Sequence, residues 1–131
     1  MRFNAGLGLT DTEIESDTTA GALTTGNEFQ RAPGLTAIAG AVWNPIEPLE
    51  LSAFARYSDG YFSDDANLDV NAVDSYFTMD LQASYMLGKA RLFIDATNVF
   101  DEFYAVNVFS EGASGTVGDP RRVSVGLDYR F

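Results

Sequence analysis

The chain has 131 residues, enough for one domain, with 19 acidic and 8 basic side chains and a formal net charge of −11. That balance argues against nucleic acid as a partner, because phosphate backbones are neutralised by Lys and Arg. With no Cys and no His, the chain has no disulfides, no thiolate metal site and none of the commonest general base.

From the N-terminus, residues 2–14 alternate, with Phe3, Ala5, Leu7 and Leu9 on one parity. Successive side chains of a strand point to opposite faces, so this reads as a first strand. No apolar export segment precedes it, and the chain is therefore expected to be the tail of something longer. Residues 15–33, rich in Thr, Gly and acid, read as a loop. A second strand, 35–43, carries Leu35, Ala37, Ala39, Ala41 and Trp43. The two prolines of 44–48 predict a tight connection, since proline donates nothing to a ladder. A third strand, 49–57, carries Leu49, Leu51, Ala53, Ala55 and Tyr57, and 59–74 is a second polar loop. The fourth strand, 77–87, is followed by the short turn Gly88-Lys89, and the fifth is 90–96. Residues 98–119 form a third long loop. The last strand places Val123, Val125, Leu127, Tyr129 and Phe131 on one parity, and Arg122, Ser124, Gly126, Asp128 and Arg130 on the other.

Four regularities point to a membrane. The connections alternate long and short, as they do in up-and-down barrels with long outer loops and short periplasmic turns. The strand charges Arg2, Glu50, Arg56, Asp80, Arg91, Asp95, Arg122, Asp128 and Arg130 all avoid the apolar parity, where an Arg or Lys at mid-bilayer costs roughly 2–4 kcal/mol. A nine-residue strand at ~3.3 Å per residue and ~40° of tilt spans about 23 Å, near the ~25 Å apolar band. Aromatic residues gather at the strand ends, with Phe3, Trp43, Tyr85, Tyr129 and Phe131 in one girdle and Tyr57, Phe77, Phe103 and Tyr104 in the other. The expected fold is all-β: an antiparallel up-and-down transmembrane β-barrel segment of about six strands, incomplete and with open edges.

The closing strand, with its terminal aromatic, resembles the assembly signal of outer-membrane barrels. Asn98-Val99-Phe100-Asp101-Glu102-Phe103-Tyr104 resembles the N-L-F-D-x-x-Y motif of TonB-dependent outer-membrane receptors, with Val99 where Leu is usual. The segment from Gly118 through Pro120 and Arg121 to Phe131 resembles that family's G-x-P-R-x-x-x-x-G-x-x-Y-x-F ending, and 74–85 is similar to the strand before it. The resemblance implies a Gram-negative outer-membrane barrel of roughly 22 strands around a plug, with this chain as its C-terminal part. It also implies outer-membrane lipid, the barrel-assembly machinery engaged through the last strand, TonB acting through the absent plug, and a small nutrient ligand as partners.

Within the motif, Asn98, Val99, Phe100, Asp101 and Tyr104 are expected to be structural, since Asn and Asp cap turns through the backbone. Arg56, Tyr57 and Tyr61, near the outer rim, are the candidates to face ligand. Asp65, Asn67 and Asp69 match the first oxygens of a calcium loop, but Val70 replaces the turn glycine and Tyr76 the bidentate Glu. A solvated acidic loop is the simpler reading. All the acidic residues except Glu47, Glu50, Asp80, Asp95 and Asp128 lie in the long connections or their flanks, a rim that would attract cations rather than anionic chelates. No cofactor, metal or catalytic site is expected, because neither a nucleophile elbow nor a phosphate-binding loop is present. Two alternatives stay open at this level: a small independent outer-membrane pore, which would need two further strands, and a soluble acidic β-sandwich.

Overall fold

A computed structural model describes residues 1–15 and 24–131. Asp17 and the middle of the expected 15–33 loop lie outside them. Ten strands follow in order: β1 (Arg2–Leu9), β2 (Leu35–Ile46), β3 (Leu49–Ser58), β4 (Tyr61–Phe62), β5 (Ala72–Val73), β6 (Tyr76–Leu87), β7 (Ala90–Thr97), β8 (Ala105–Phe109), β9 (Ser114–Val117) and β10 (Arg122–Tyr129). Six of them form one antiparallel sheet in the order β1-β2-β3-β6-β7-β10. The pairs β4-β5 and β8-β9 make two small sheets within the long connections. The third loop thus contains a hairpin, but it pairs with itself and adds no strand to the wall. Among the described residues the main sheet does not close, and β1 and β10 are its edge strands.

Register matters more than strand count. Phe3 faces Ala41, Ala41 faces Ala53, Ala53 faces Leu81, Leu81 faces Ala96, and Ala96 faces Val123. One row nearer the turns, Trp43, Leu51, Ala83, Ile94 and Val125 are aligned in the same way. A slip of one residue at any seam would transfer the apolar set beyond it to the other face. None occurs through these rows, and the one shift, between Trp43 and Ile46, lies at the turn end of the β2–β3 seam, so one face is apolar across all six strands.

That face covers no core. Val73, in a loop strand, is the one buried apolar side chain among the described residues. Leu7 is 70% exposed, Val125 76% and Leu127 62%. A water-soluble domain of this size would bury such groups. No second sheet lies against the six-stranded wall among the described residues, so the sandwich alternative fails. Hydrocarbon is the solvent that suits this face.

Three strand boundaries differ from the sequence expectation, among them the closing strand, which ends at Tyr129 rather than Phe131. The first strand ends at Leu9 rather than near residue 14. Continued alternation would place Asp11 and Glu13 on the apolar face, and the strand stops before it does. The second strand runs on to Ile46, through a register shift between Trp43 and Ile46 that accommodates Pro45. The tight turn is therefore confined to Glu47-Pro48.

The lipid assignment predicts a strong asymmetry between neighbours. Ala53→Arg, in the apolar row, is expected to cost ~2–4 kcal/mol, and Ser52→Arg, on the opposite face, ~0.5 kcal/mol or less. Denaturant unfolding from lipid vesicles measures both. Equal costs would show that the Ala53 face is not in hydrocarbon.

Candidate functional site

The polar face of the wall carries paired charges. Arg56 Nη1 lies 3.1 Å from Asp80 Oδ2 across β3 and β6. Arg91 and Asp128 face each other across β7 and β10, with Nη2 2.6 Å from Oδ2. Gln82 donates to Asp95 between β6 and β7. Each Arg also packs on a Phe of the same face. Arg56 lies 4.7 Å from the Phe54 ring centroid and Arg91 5.3 Å from that of Phe93. Phe93 in turn lies over Gly126, where a Cβ would collide with the ring.

Asn98 is where the wall meets the third loop. It is 4% exposed and adopts a left-handed backbone (φ 47°), which Asn tolerates better than most residues. Its side-chain amide donates to the carbonyls of Glu102 (2.8 Å) and Asp119 (3.0 Å), and its Oδ1 accepts the Glu102 N–H at 3.0 Å. The Asn98 N–H itself donates to Asp80 Oδ1 at 3.0 Å. Asp80 therefore joins luminal Arg56 to the start of the loop, a link that neither parity nor motif indicated.

The other motif residues surround Asn98. The Val99 N–H donates to the Met79 carbonyl, and the Asp101 N–H to that of Asn98. Asp101 accepts the Arg121 N–H at 3.1 Å and pairs with its guanidinium at 3.3 Å, fastening the two ends of the loop on either side of Pro120. Phe100 packs near Phe77, with ring centroids 6.0 Å apart. Tyr104 corrects the expected outer girdle. It stacks on Tyr76 at 4.3 Å, and Tyr76 belongs to the polar parity, paired with Ser58. Gly118 leaves room for the Tyr104 ring, which a Cβ there would strike.

The three ligand-facing candidates separate. Arg56 projects from the polar face. Tyr57 does not, because it lies between Ala37 and Phe77 in the apolar row and belongs to the lipid girdle. Tyr61 lies in the second loop, and its hydroxyl donates to the Val106 carbonyl at 2.9 Å.

The second loop ties the other two together. Val108 N–H donates to Ser63 Oγ, and Gly112 N–H to Asn71 Oδ1. On its other side, Asn67 exchanges hydrogen bonds with the Glu28 backbone, and Asp65 Oδ1 accepts the Gln30 N–H at 3.1 Å. Asp65 Oδ1 and Asn67 Oδ1 are two of the three oxygens the calcium reading needed, and here backbone N–H groups occupy them. No group of three metal-binding side chains gathers among the described residues.

In the closing strand, Val123, Val125, Leu127 and Tyr129 fall in the apolar rows opposite Ala96, Ile94, Leu92 and Ala90. Phe131 lies past the strand end, fully exposed, edge-on to Tyr129 at 5.3 Å.

An antiparallel wall with apolar side chains outside, charge pairs inside, long knitted loops at one end and tight turns at the other is a piece of an outer-membrane β-barrel. The chain matches the family described as TonB dependent receptor-like, beta-barrel, over residues 1–99, and it belongs to that family. Its place is the outer membrane of a Gram-negative bacterium. Among solved structures it resembles the siderophore receptor PiuA from Acinetobacter baumannii, with a TM-score of 0.83 and 22% identity over 97% of this chain. It also resembles the closed form of the ferric-catecholate import receptor Fiu from Escherichia coli, with a TM-score of 0.71 and 15% identity over 99% of this chain. The Pseudomonas aeruginosa receptor FpvA, bound there to a ferric pyoverdine, matches 79% of this chain with a TM-score of 0.60 and 20% identity. The chain spans 19% of PiuA, 19% of Fiu and 15% of FpvA. The family is one of receptors, not of enzymes.

Two predictions follow from these contacts. Asn98→Ala removes a buried amide with three hydrogen bonds, at an expected cost of about 1–3 kcal/mol, read by unfolding and by faster proteolysis within 98–121. Asn98→Gly relieves the backbone strain but loses the same bonds, so an undiminished stability in both variants would remove the clasp. The Tyr61 phenol is raised above its ordinary 10.0 by burial first and by Tyr76 second, with Arg31 opposing. An undocked loop therefore ionises before a docked one, and docking weakens as the pH rises past 10. Protection of the Val108 and Gly112 amides, taken relative to their intrinsic base-catalysed exchange, should fall there in the native chain and not in Tyr61→Phe.

Proposed function

We propose that the chain forms the C-terminal strands of a TonB-dependent receptor that takes up a scarce nutrient, with a ferric siderophore as the favoured ligand and haem, cobalamin and glycans as the others. The observation that carries the reading is the apolar row unbroken across six strands with every wall charge behind it. The two free sheet edges support a larger barrel, because an unpaired backbone group in hydrocarbon costs several kcal/mol. Further strands would pair with β1 and β10. A plug within the completed barrel would meet Arg56, Asp80, Arg91 and Asp128, and TonB would act through that plug. The exposed edge of β10, with Val123, Val125, Leu127, Tyr129 and Phe131, is the surface we assign to the barrel-assembly machinery.

Ligand capture falls to the knitted outer loops, and Arg56 is the wall residue placed to meet a ligand beneath them. The siderophore relatives favour an iron chelate. The acidic rim (Asp59, Asp64, Asp65, Asp69, Asp74) favours a chelate of low negative charge over a strongly anionic one. No catalytic role is assigned to the chain, and outer-membrane lipid is its constant partner.

Uptake of iron-55 by cells expressing the whole gene tests the reading. Saturable uptake of a ferric siderophore that disappears in cells lacking TonB is expected. TonB-dependent uptake of haem, cobalamin or a glycan in its place would reassign the ligand. No TonB-dependent uptake of any of these would overturn the receptor reading.

A further inference from the structure

The lipid-facing side of the wall is uneven in height. On β7 and β10 it carries Leu92, Ile94, Val123, Val125 and Leu127. At the centre of β2 and β3 it carries alanines, with Ala39 opposite Ala55 and Ala41 opposite Ala53. Ala83 and Ala96 extend this low floor onto β6 and β7. Larger side chains stand around it: Phe3 on β1, Trp43 and Leu51 toward the turns, and Met79, Leu81 and Ile94 on the far side. Phe3, Trp43, Leu81 and Ile94 are exposed, whereas Ala41, Ala53, Ala55 and Ala83 are half-buried below them. Two hollows of about 450 and 510 Å³ result, and they share Ala41 and Ala53, so they form one trough.

The trough belongs to the wall as it stands. Its floor lies on β2, β3, β6 and β7, on the face opposite Arg56 and Asp80. Strands continuing past β1 and β10 would extend the sheet on either side of it, and a plug would lie on the other face, so neither covers it. What meets it is the hydrocarbon that meets the rest of this face. Lipid tails are as apolar as Leu, so burial alone favours no occupant. Contact decides instead. A chain on a flat wall touches protein on one side, and a chain in the trough touches it on three.

The dimensions suit one lipid tail. From Ala39 to Trp43 the strand covers ~13 Å at ~3.3 Å per residue, close to the ~15 Å that one leaflet contributes to a ~30 Å hydrocarbon core. A second protein wall would strike Phe3, Trp43 and Leu81 before it reached the alanines, whereas a thin flexible chain reaches them. Trp43 marks the headgroup end. It stands toward the turns, and its indole N–H has no acceptor among the described residues. An indole at the lipid–water boundary buries its rings and directs its donor to the wet side, where the ester carbonyls of a phospholipid lie.

We propose that the trough seats one acyl chain of an inner-leaflet phospholipid, with its tail against Ala41, Ala53 and Ala55 and its ester carbonyl at the Trp43 indole N–H. The inference rests on the lipid-facing assignment of this wall and not on which nutrient the loops capture.

The test uses the receptor encoded by the whole gene, in tetraethylene glycol octyl ether micelles titrated with palmitoyl-oleoyl phosphatidylethanolamine. Native mass spectrometry counts the lipids retained. A tightly held first phospholipid is expected. Ala41→Leu with Ala53→Leu fills the floor with side chains that hydrocarbon accepts and should weaken that lipid at least tenfold. Trp43→Phe keeps the ring and removes the donor, and should weaken it about threefold. Ala90→Leu, on the same face outside the trough, should leave it within twofold. Heat-modifiable gel migration reports that each variant is folded. Equal retention by wild type, the folded double Leu variant and Trp43→Phe would overturn the seat, as would equal weakening by Ala90→Leu. A mass of two receptors that the double Leu variant separates would also overturn it and assign the trough to a second copy. Loss of the lipid leaves TonB-dependent uptake untouched, and absence of uptake leaves the lipid in place, so the two readings fail separately.

Discussion

The structure depends on the coincidence of two periodicities. The backbone ladder fixes which residues stand opposite one another, and the side-chain alternation fixes which of them are apolar. Because every seam from β1 to β10 keeps the same phase up to the shift beyond Trp43, ladder and solvent agree through the body of the wall. Backbone groups are satisfied within the wall, and the lipid meets carbon. Loss of phase at one seam would expose charge to hydrocarbon along a whole strand, a penalty that packing elsewhere could not offset, since the wall has no core to repack.

A wall held in this way leaves its stabilising polar contacts to the other face and to the loops. Arg56–Asp80 and Arg91–Asp128 are half-exposed pairs, and contacts of this sort typically contribute little each. Their value lies in position. Asp80 accepts from the first N–H of the third loop while it holds Arg56, so the inner wall and the outer loop share one carboxylate. The second loop then joins its neighbours through Asn67, Asn71, Ser63 and Tyr61, mostly by side chain to backbone. Such bonds set a loop's shape without requiring a packed interior.

The wall was legible in the sequence because alternation states the face of each residue directly, and acidic punctuation marks where strands give way to loops. Trp43, Leu51 and Leu127 could be placed before any coordinates. The boundary at Leu9 was less legible, although Asp11 and Glu13 on the apolar parity carried the signal. The partners of Tyr104 and Asp80 were not legible. Tyr104 turns toward Tyr76 because the clasp at Asn98 reverses the chain and because Gly118 leaves a gap, and neither fact is local. Asp80 could be assigned a face, but its second partner lies eighteen residues away on a turn with no fixed phase. Loop contacts such as Asn67 with Glu28 join distant segments without any period to reveal them.

The molecule is also electrically lopsided along its strands, with carboxylates crowded at the loop end and a near balance at the turn end, where Lys89, Arg91 and Arg130 stand among Glu47, Glu50 and Asp128. A solute crossing beside this wall would experience a sloping potential. A cation near the wall is drawn toward the loop end, whereas the turn end, where Glu47, Glu50 and Asp128 offset the basic side chains, attracts neither sign strongly.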